Sequence, residues 1–213
     1  MRTWAIVVGA GGGERFGAPK QFLRLAGTSV LDRAVGVARE ACDGVVAVLP
    51  ADTDWNPPEG VRTAIGGVTR SDSVRAGLAC VPDDTDIVVV HDAARPLASR
   101  QLFTAVVRAI AGGADAAVPA LPIVDTVKRV RDDTVVETVP RDGLVTVQTP
   151  QAFRARVLRA AHAQQGAGTD DAALVEAAGG RVVVVDGERR NLKLTLADDL
   201  ELAQALLDTG TPS

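Results

Sequence analysis

The stretch Val8-Gly-Ala-Gly-Gly-Gly-Glu-Arg-Phe-Gly-Ala-Pro-Lys20 puts four glycines in the five positions 9–13, directly after the apolar run Trp4–Val8. Residues without a Cβ let backbone N–H groups come close to phosphate oxygens. Arg15 and Lys20 add two cations to the same loop. Together these suit a polyphosphate whose negative charge rises during reaction. Two common loops are excluded by spacing. Gly12 and Gly17 have the separation of a P-loop, but Ala18-Pro19 follow where Lys-Ser/Thr is needed. Gly9 and Gly11 begin a dinucleotide fingerprint, but Glu14 takes the place of its third glycine. The glycines alone would equally serve a flexible turn with solvated Arg15 and Lys20.

A second group follows the run Asp86–Val90. Asp92 stands at the end of an apolar strand, where a carboxylate suits Mg²⁺, an ion that takes few protein oxygens and completes its shell with phosphates and water. The alternative for Asp92 is a turn or helix cap. His91 invites a general-base role, but an attacking phosphate is already anionic near neutral pH and needs none. His91 is therefore read as a structural, hydrogen-bonding residue, and His162, on a polar helix, as exposed. Cys42 and Cys80 lack CxxC spacing and read as two buried, reduced thiols. No His/Cys cluster points to zinc.

The elements that position these groups alternate between strand and helix. Trp4–Val8, Val45–Leu49, Arg62–Ile65, Asp86–Val90, Asp115–Leu121 and Arg181–Val185 read as strands. Leu31, Ala34, Val35, Ala38 and Cys42 share one helical face. Ser71–Val81 reads as helix, as does Ser99–Ala111 with Ser99 as N-cap. The stretch Asp52–Gly60, with three prolines counting Pro50 just before it, reads as loop. Thr195-Leu-Ala-Asp198 has capping-box spacing before a last helix whose face carries Leu200, Ala203 and Leu207. Alternation of this kind predicts an α/β, Rossmann-like, mostly parallel sheet with helices on both faces, and ligands beyond the carboxyl ends of its strands. Ile123–Val130 and Thr134–Val139, around Arg131-Asp132-Asp133, break the pattern and read as a projecting hairpin. The whole of 1–213 is expected to form one domain, with a β-arm at about 123–146.

Composition limits the partners. The chain has 213 residues, 46% of them hydrophobic, with four Phe, two Trp and no Tyr, so its core is built from Ala, Val and Leu. A net charge of −4, no basic block and no aromatic platform argue against a nucleic-acid partner. No run reaches membrane-spanning length, and the first apolar run is too short for a signal peptide. A cytoplasmic protein with no membrane partner is the expectation.

Gly9 to Phe22 resembles the signature loop of nucleotidyltransferases that activate sugars and polyols, and within them the 2-C-methyl-D-erythritol 4-phosphate cytidylyltransferase family. The resemblance continues in order through Gly66-Gly67 and Arg70-Ser-Asp-Ser-Val74, Val90-His-Asp-Ala-Ala-Arg-Pro96, Asp125-Thr-Val-Lys128, Gln148-Thr-Pro-Gln151, Thr169-Asp-Asp-Ala172 and Asn191-Leu-Lys193. It implies CTP as co-substrate, Mg²⁺ as cofactor and a polyol phosphate as acceptor. It further implies that Arg15 and Lys20 stabilise the pentacoordinate α-phosphorus and that Asp92 holds the metal. Gly9, Ala10, Gly11, Gly13, Gly67, Ser73 and Ala93 would hold the nucleotide. Arg95, Thr126, Arg141, Thr149 and Lys193 would hold the acceptor, with Arg141 and Lys193 also counted as catalytic. In the family, Thr126 and Arg141 on the arm reach the neighbouring subunit's site, which implies a homodimer. Arg70 would lie near the nucleotide; by itself it reads as a surface charge at a helix start. The chain departs from the family in beginning its loop Val8-Gly9-Ala10-Gly11 rather than Pro-Ala-Ala-Gly, and in carrying Arg190 where an Asp usually precedes Asn-Leu-Lys.

Three other readings share some of these features. A ribitol 5-phosphate cytidylyltransferase has the same loop, metal segment and arm. A non-catalytic nucleotide-binding module would be marked by loss of Arg15, Lys20 or Asp92, and all three are present. A nicotinamide-dependent oxidoreductase is opposed by Glu14 and by Pro50, which stands where a ribose-binding acid belongs.

Overall fold

A computed structural model describes residues 1–11, 20–164 and 170–209. The first half contains strand β1 (Thr3–Val8), a 3₁₀ turn (Lys20–Phe22), the short pair β2 (Arg24–Leu25) and β3 (Thr28–Ser29), helix α1 (Val30–Ala41), strands β4 (Gly44–Leu49) and β5 (Val61–Ile65), helix α2 (Arg70–Cys80), β6 (Ile87–Asp92) and α3 (Arg100–Ala111). Then come β7 (Ala116–Pro122), β8 (Val127–Arg131), β9 (Thr134–Val139), β10 (Val145–Val147), β11 (Gln151–Arg154), α4 (Ala155–Ala163), α5 (Asp171–Ala177), β12 (Val182–Asp186) and α6 (Asp198–Asp208).

Among the described residues, eight strands form the central sheet, in the path β10-β7-β11-β6-β1-β4-β5 with β12 on the other side of β7. All are parallel except β10 and β11, which run antiparallel to their neighbours. The strand period of two sorts β1 between two cores. Ala5 and Val7 join Leu31, Ala34, Val35 and Ala38 of α1 and Phe103, Val106 and Ile110 of α3 on one face. Trp4 and Ile6 join Val74 and Leu78 of α2, Leu158 of α4 and Leu174 and Val175 of α5 on the other. This is the α/β arrangement expected, with helices covering both faces.

Local signals account for several boundaries. Ser99 caps α3 by accepting the Leu102 N–H at 3.1 Å. Ser29 caps α1 through Asp32 N–H at 3.0 Å. The Asp132-Asp133 turn joins β8 and β9 with both residues at positive φ, 47° and 59°, the type I′ geometry whose twist matches paired strands. The hairpin expected there is present, outside the main sheet, although its first strand begins at Val127 rather than Ile123.

Four expectations need correction. Thr195 does not cap α6: the helix begins at Asp198, and the Asp199 carboxylate takes the Thr195 and Leu196 N–H groups at 2.6 and 2.7 Å. Those two N–H groups precede the N-cap, Ala197, which makes no side-chain cap hydrogen bond. His162 is buried, at 3% exposure, because α5 packs across the helix and places Asp171 against it. Cys42 and Cys80 are free but only partly buried. Segment 145–154, to which local pattern assigns no element, supplies β10 along β7 and β11 between β7 and β6. Among the described residues, no helix is long and apolar enough to cross a membrane.

Burial, and then the neighbouring Asp43 charge, push the Cys42 thiol up to about 12. Since the thiolate is the nucleophile, little reactive form exists at pH 8. Iodoacetamide at pH 8 is expected to modify Cys42 far more slowly in the folded protein than in urea, read by peptide mass spectrometry. Equal rates would overturn that.

Candidate active site

The site forms where β1, β4, β5 and β6 end together. Val8 pairs with Asp92 on one side and with Val48 on the other, so the loops leaving β1 and β6 start side by side. Their first residues are tied to the sheet: Gly9 N–H donates to Val48 O at 2.8 Å and Ala93 N–H to Val8 O at 2.9 Å. Ala10 and Gly11 continue from that anchor, while Gly13 and Arg15 lie outside the described residues.

Across from Ala10 stands Gly66-Gly67. A Cβ at Gly66 would lie 2.2 Å from Ala10 Cβ and 2.9 Å from Ser73 Oγ, and one at Gly67 2.2 Å from Asp72 Cβ. The chain therefore needs glycine at both positions to bring this loop against β1 and the start of α2. Helix α2 starts there because Thr69 caps it through a reciprocal box with Asp72. Ser73, 3% exposed, accepts the Gly67 N–H at 3.2 Å and donates to Thr69 O at 3.1 Å. The predicted nucleotide residues Ala10, Gly67 and Ser73 thus line one close-packed wall. Gly66→Ala is expected to raise the KM for the expected co-substrate CTP about 5- to 150-fold, an overpacking cost of about 1–3 kcal/mol at the pocket wall. An unchanged KM in steady-state assays would show that this wall does not meet the nucleotide.

At the end of β6, Asp92 is 7% exposed and sits between two cations. Its Oδ1 accepts Arg70 Nε–H at 3.1 Å and its Oδ2 accepts Lys193 Nζ–H at 2.7 Å. Burial would raise the Asp92 carboxyl, but Arg70 and Lys193 outweigh it and hold the group well below the usual carboxylate range. Arg70 also donates from Nη1 to Asp171 Oδ2 at 2.6 Å. Burial opposes its charge, and the two carboxylates more than compensate, so its guanidinium stays ionised. Arg70 is therefore part of the site rather than a surface charge.

His91 is fully buried, and burial pulls it down to about 4 against the attraction of Asp92. Its hydrogen bonds agree with a neutral ring. Nε2–H donates to Arg95 O at 3.2 Å, and Nδ1 accepts from the Thr149 hydroxyl at 3.2 Å. Thr149 Oγ1 in turn accepts the Asp92 N–H at 3.0 Å. His91 and Thr149, 5% exposed, thus fix the backbone from which Asp92 projects.

The segment after β12 closes the cluster. Asn191, fully buried, donates from Nδ2 to Thr149 O at 2.9 Å, and its own carbonyl accepts Arg95 Nη1–H at 2.8 Å. Leu194 N–H donates to Ala94 O at 2.8 Å, and Leu194 O accepts Lys20 Nζ–H at 2.6 Å. Lys20 and Lys193, far apart in sequence, are brought to one place this way. Thr126 and Arg141 are exposed on or beside the arm. Arg141 donates to Val124 O, and no hydrogen bond or ion pair joins either residue to the Asp92 cluster among the described residues.

Among the described residues, no three His, Cys, Asp or Glu side chains gather as a metal cage. An ionised Asp92 at the end of β6 fits Mg²⁺, which needs one or two carboxylates and fills its octahedron with phosphate oxygens and water. The candidate residues did not include Arg70, Asp171, His162 or Asn191. Three of these lie in segments already marked by the family resemblance, and only His162 carried no signal.

The family described as 2-C-methyl-D-erythritol 4-phosphate cytidylyltransferase matches residues 3–209. A protein of that name from Frankia casuarinae is 45% identical over 100% of this chain and 84% of its own length. One from Rhodococcus jostii is 45% identical over 97% of this chain and 95% of its own. The crystal structure of the enzyme from Thermus thermophilus superposes with a TM-score of 0.83 at 36% identity, covering 95% of this chain and 98% of that one. Matched along nearly its whole length in sequence and in fold, the chain belongs to the 2-C-methyl-D-erythritol 4-phosphate cytidylyltransferase family.

Proposed function

We propose that this site transfers CMP from CTP to 2-C-methyl-D-erythritol 4-phosphate, giving 4-diphosphocytidyl-2-C-methyl-D-erythritol and pyrophosphate, with the residue roles that follow. The reading rests above all on one observation: Asp92 lies between Arg70 and Lys193, beside the Gly66-Gly67 wall. An acceptor phosphate oxygen attacks the α-phosphorus in line, a new P–O bond forms, and the α–β bridging bond breaks toward pyrophosphate. The acceptor phosphate is anionic near neutral pH, so no side chain has to remove a proton.

Gly67 and Ser73 hold the cytosine and ribose. Gly9, Ala10, Gly11, Gly13 and Ala93 line the backbone path of the phosphates. Arg15 and Lys20 neutralise charge on the reacting phosphoryl group and the departing pyrophosphate. Asp92 is the protein ligand for Mg²⁺, which when bound supplies further charge neutralisation on the CTP phosphates. Lys193, exposed above Asp92, and Arg95 take the acceptor phosphate, and Thr149 supports them through the Asp92 backbone. Thr126 and Arg141 serve the site of a second copy. The arm's exposed Val124, Val130, Val135 and Val136 support a homodimer formed through it. The chain works as one nucleotidyltransferase unit, with its arm within residues 123–146, in the cytoplasm.

Pyrophosphate release from CTP and Mg²⁺ tests the reading, with 2-C-methyl-D-erythritol 4-phosphate and ribitol 5-phosphate as rival acceptors. Fast turnover with the methylerythritol phosphate alone is expected. Preference for ribitol phosphate would move the enzyme to another pathway, and no release from folded protein would sink the assignment. A mass at monomer size by light scattering under assay conditions would remove the shared site.

A further inference from the structure

Behind the Asp92 cluster runs a buried polar chain that none of the roles above uses. Asp171, at the start of α5, is fully buried. His162, from α4, lies 2.9 Å from Asp171 Oδ1 through its Nε2, and the other oxygen, Oδ2, accepts from Arg70 Nη1 at 2.6 Å. Arg70 then reaches Asp92 through Nε. A carboxylate only accepts, so the His162 proton on that edge sits on Nε2. His162 Nδ1 is buried without a hydrogen-bond partner among the described residues. An unmet acceptor there costs less than an unmet N–H would, and this favours the same tautomer.

A fully buried carboxylate needs partners, and Asp171 has two, the buried His162 and the part-exposed Arg70. Buried ion pairs often stabilise a core no more than well-packed apolar residues of the same size do. What Asp171 does supply is direction. Arg70 stands at the first turn of α2, with its guanidinium free to rotate unless both ends are held. With Nη1 on Asp171 and Nε on Asp92, the plane of the group is fixed, and its remaining N–H groups are set at the edge where the phosphates bind.

We propose that Asp171 and His162 are positioning residues for the transfer reaction: His162 orients Asp171, and Asp171 sets the Arg70 guanidinium against Asp92 and the CTP phosphates. Neither touches substrate. This rests on the proposed assignment of Asp92 to the phosphate end of CTP, with Arg70 held beside it.

The test is a double-mutant cycle joined to a readout that needs no substrate. Asp171→Asn is expected to lower kcat/KM for CTP about 10- to 100-fold, the range seen when a partner orienting a metal ligand is lost. KM for the acceptor should stay within about twofold, because Lys193 and Arg95 are untouched. Arg70→Lys, which cannot bridge both carboxylates, should lose as much or more, and adding Asp171→Asn to it should cost nothing further. His162→Gln keeps a donor and should retain most activity, while His162→Leu should fall with Asp171→Asn. In ¹H–¹⁵N spectra of the ligand-free protein, the Arg70 Nε–H resonance, assigned by its disappearance in Arg70→Lys, should lose its protection from exchange in Asp171→Asn.

Losses that multiply in the double variant would overturn the proposal. So would Asp171→Asn within about twofold of wild type, or an unchanged Arg70 resonance. If Asp171→Asn does not fold, His162→Leu takes its place in the cycle with the same expected outcomes. Wild-type turnover judges the parent assignment, and the resonance judges the coupling alone, so the two fail separately.

Discussion

Asp92→Asn is expected to lower kcat by about 10²–10³, the loss that follows removal of one preorganised electrostatic group from a reacting centre. Asparagine has the same shape, so the packing around His91 and Thr149 stays intact. It lacks the charge that attracts Arg70, Lys193 and a divalent cation. Arg70 retains Asp171, and Lys193 is exposed enough to be solvated, so the fold should survive. Pyrophosphate release at saturating CTP measures the effect, with circular dichroism as the check on folding. A loss below about tenfold would mean that the phosphates and the metal are organised elsewhere.

Phe153→Ala is expected to cost about 3–5 kcal/mol, as truncation of a buried aromatic does. Phe153 is fully buried in β11, where it pairs with Val88 of β6 and Ala116 of β7. For a chain of this size the cost corresponds to a melting temperature about 6–20 °C lower. Thermal unfolding followed by circular dichroism measures it. Below the new transition, activity should fall far less than in Asp92→Asn, because Phe153 belongs to the apolar core and not to the charged cluster. A shift under about 3 °C would mean that the core closes over the cavity.

That second prediction concerns an element with almost no local signature. β10 and β11 have three and four residues, too short for a period-two pattern to stand out. β11 becomes a strand because β6 and β7 leave a gap between them that an antiparallel segment fills, and β10 continues along the same edge of β7. His162 shows the same dependence. Its helix reads as polar, and its burial is decided by α5, which brings Asp171 onto that face from nine positions away.

What the residues carry locally was readable. The Ser99 cap, the Asp132-Asp133 turn and the apolar run of β1 each depend on backbone sterics, on hydrogen bonds within a few positions or on local composition. The carboxylate at a strand end was readable for the same reason, as was the order of family motifs. Which charges meet there was not. Arg70 reaches Asp92 across 22 positions and Asp171 across 101, Lys193 reaches Asp92 across 101, and Lys20 reaches Leu194 across 174. Sequence by itself determined the ends of β1 and β6 and the chemical groups placed there. Tertiary structure alone decided which of those groups share a hydrogen bond, because the order in which strands pair, not the order of residues, sets what lies beside the end of β6.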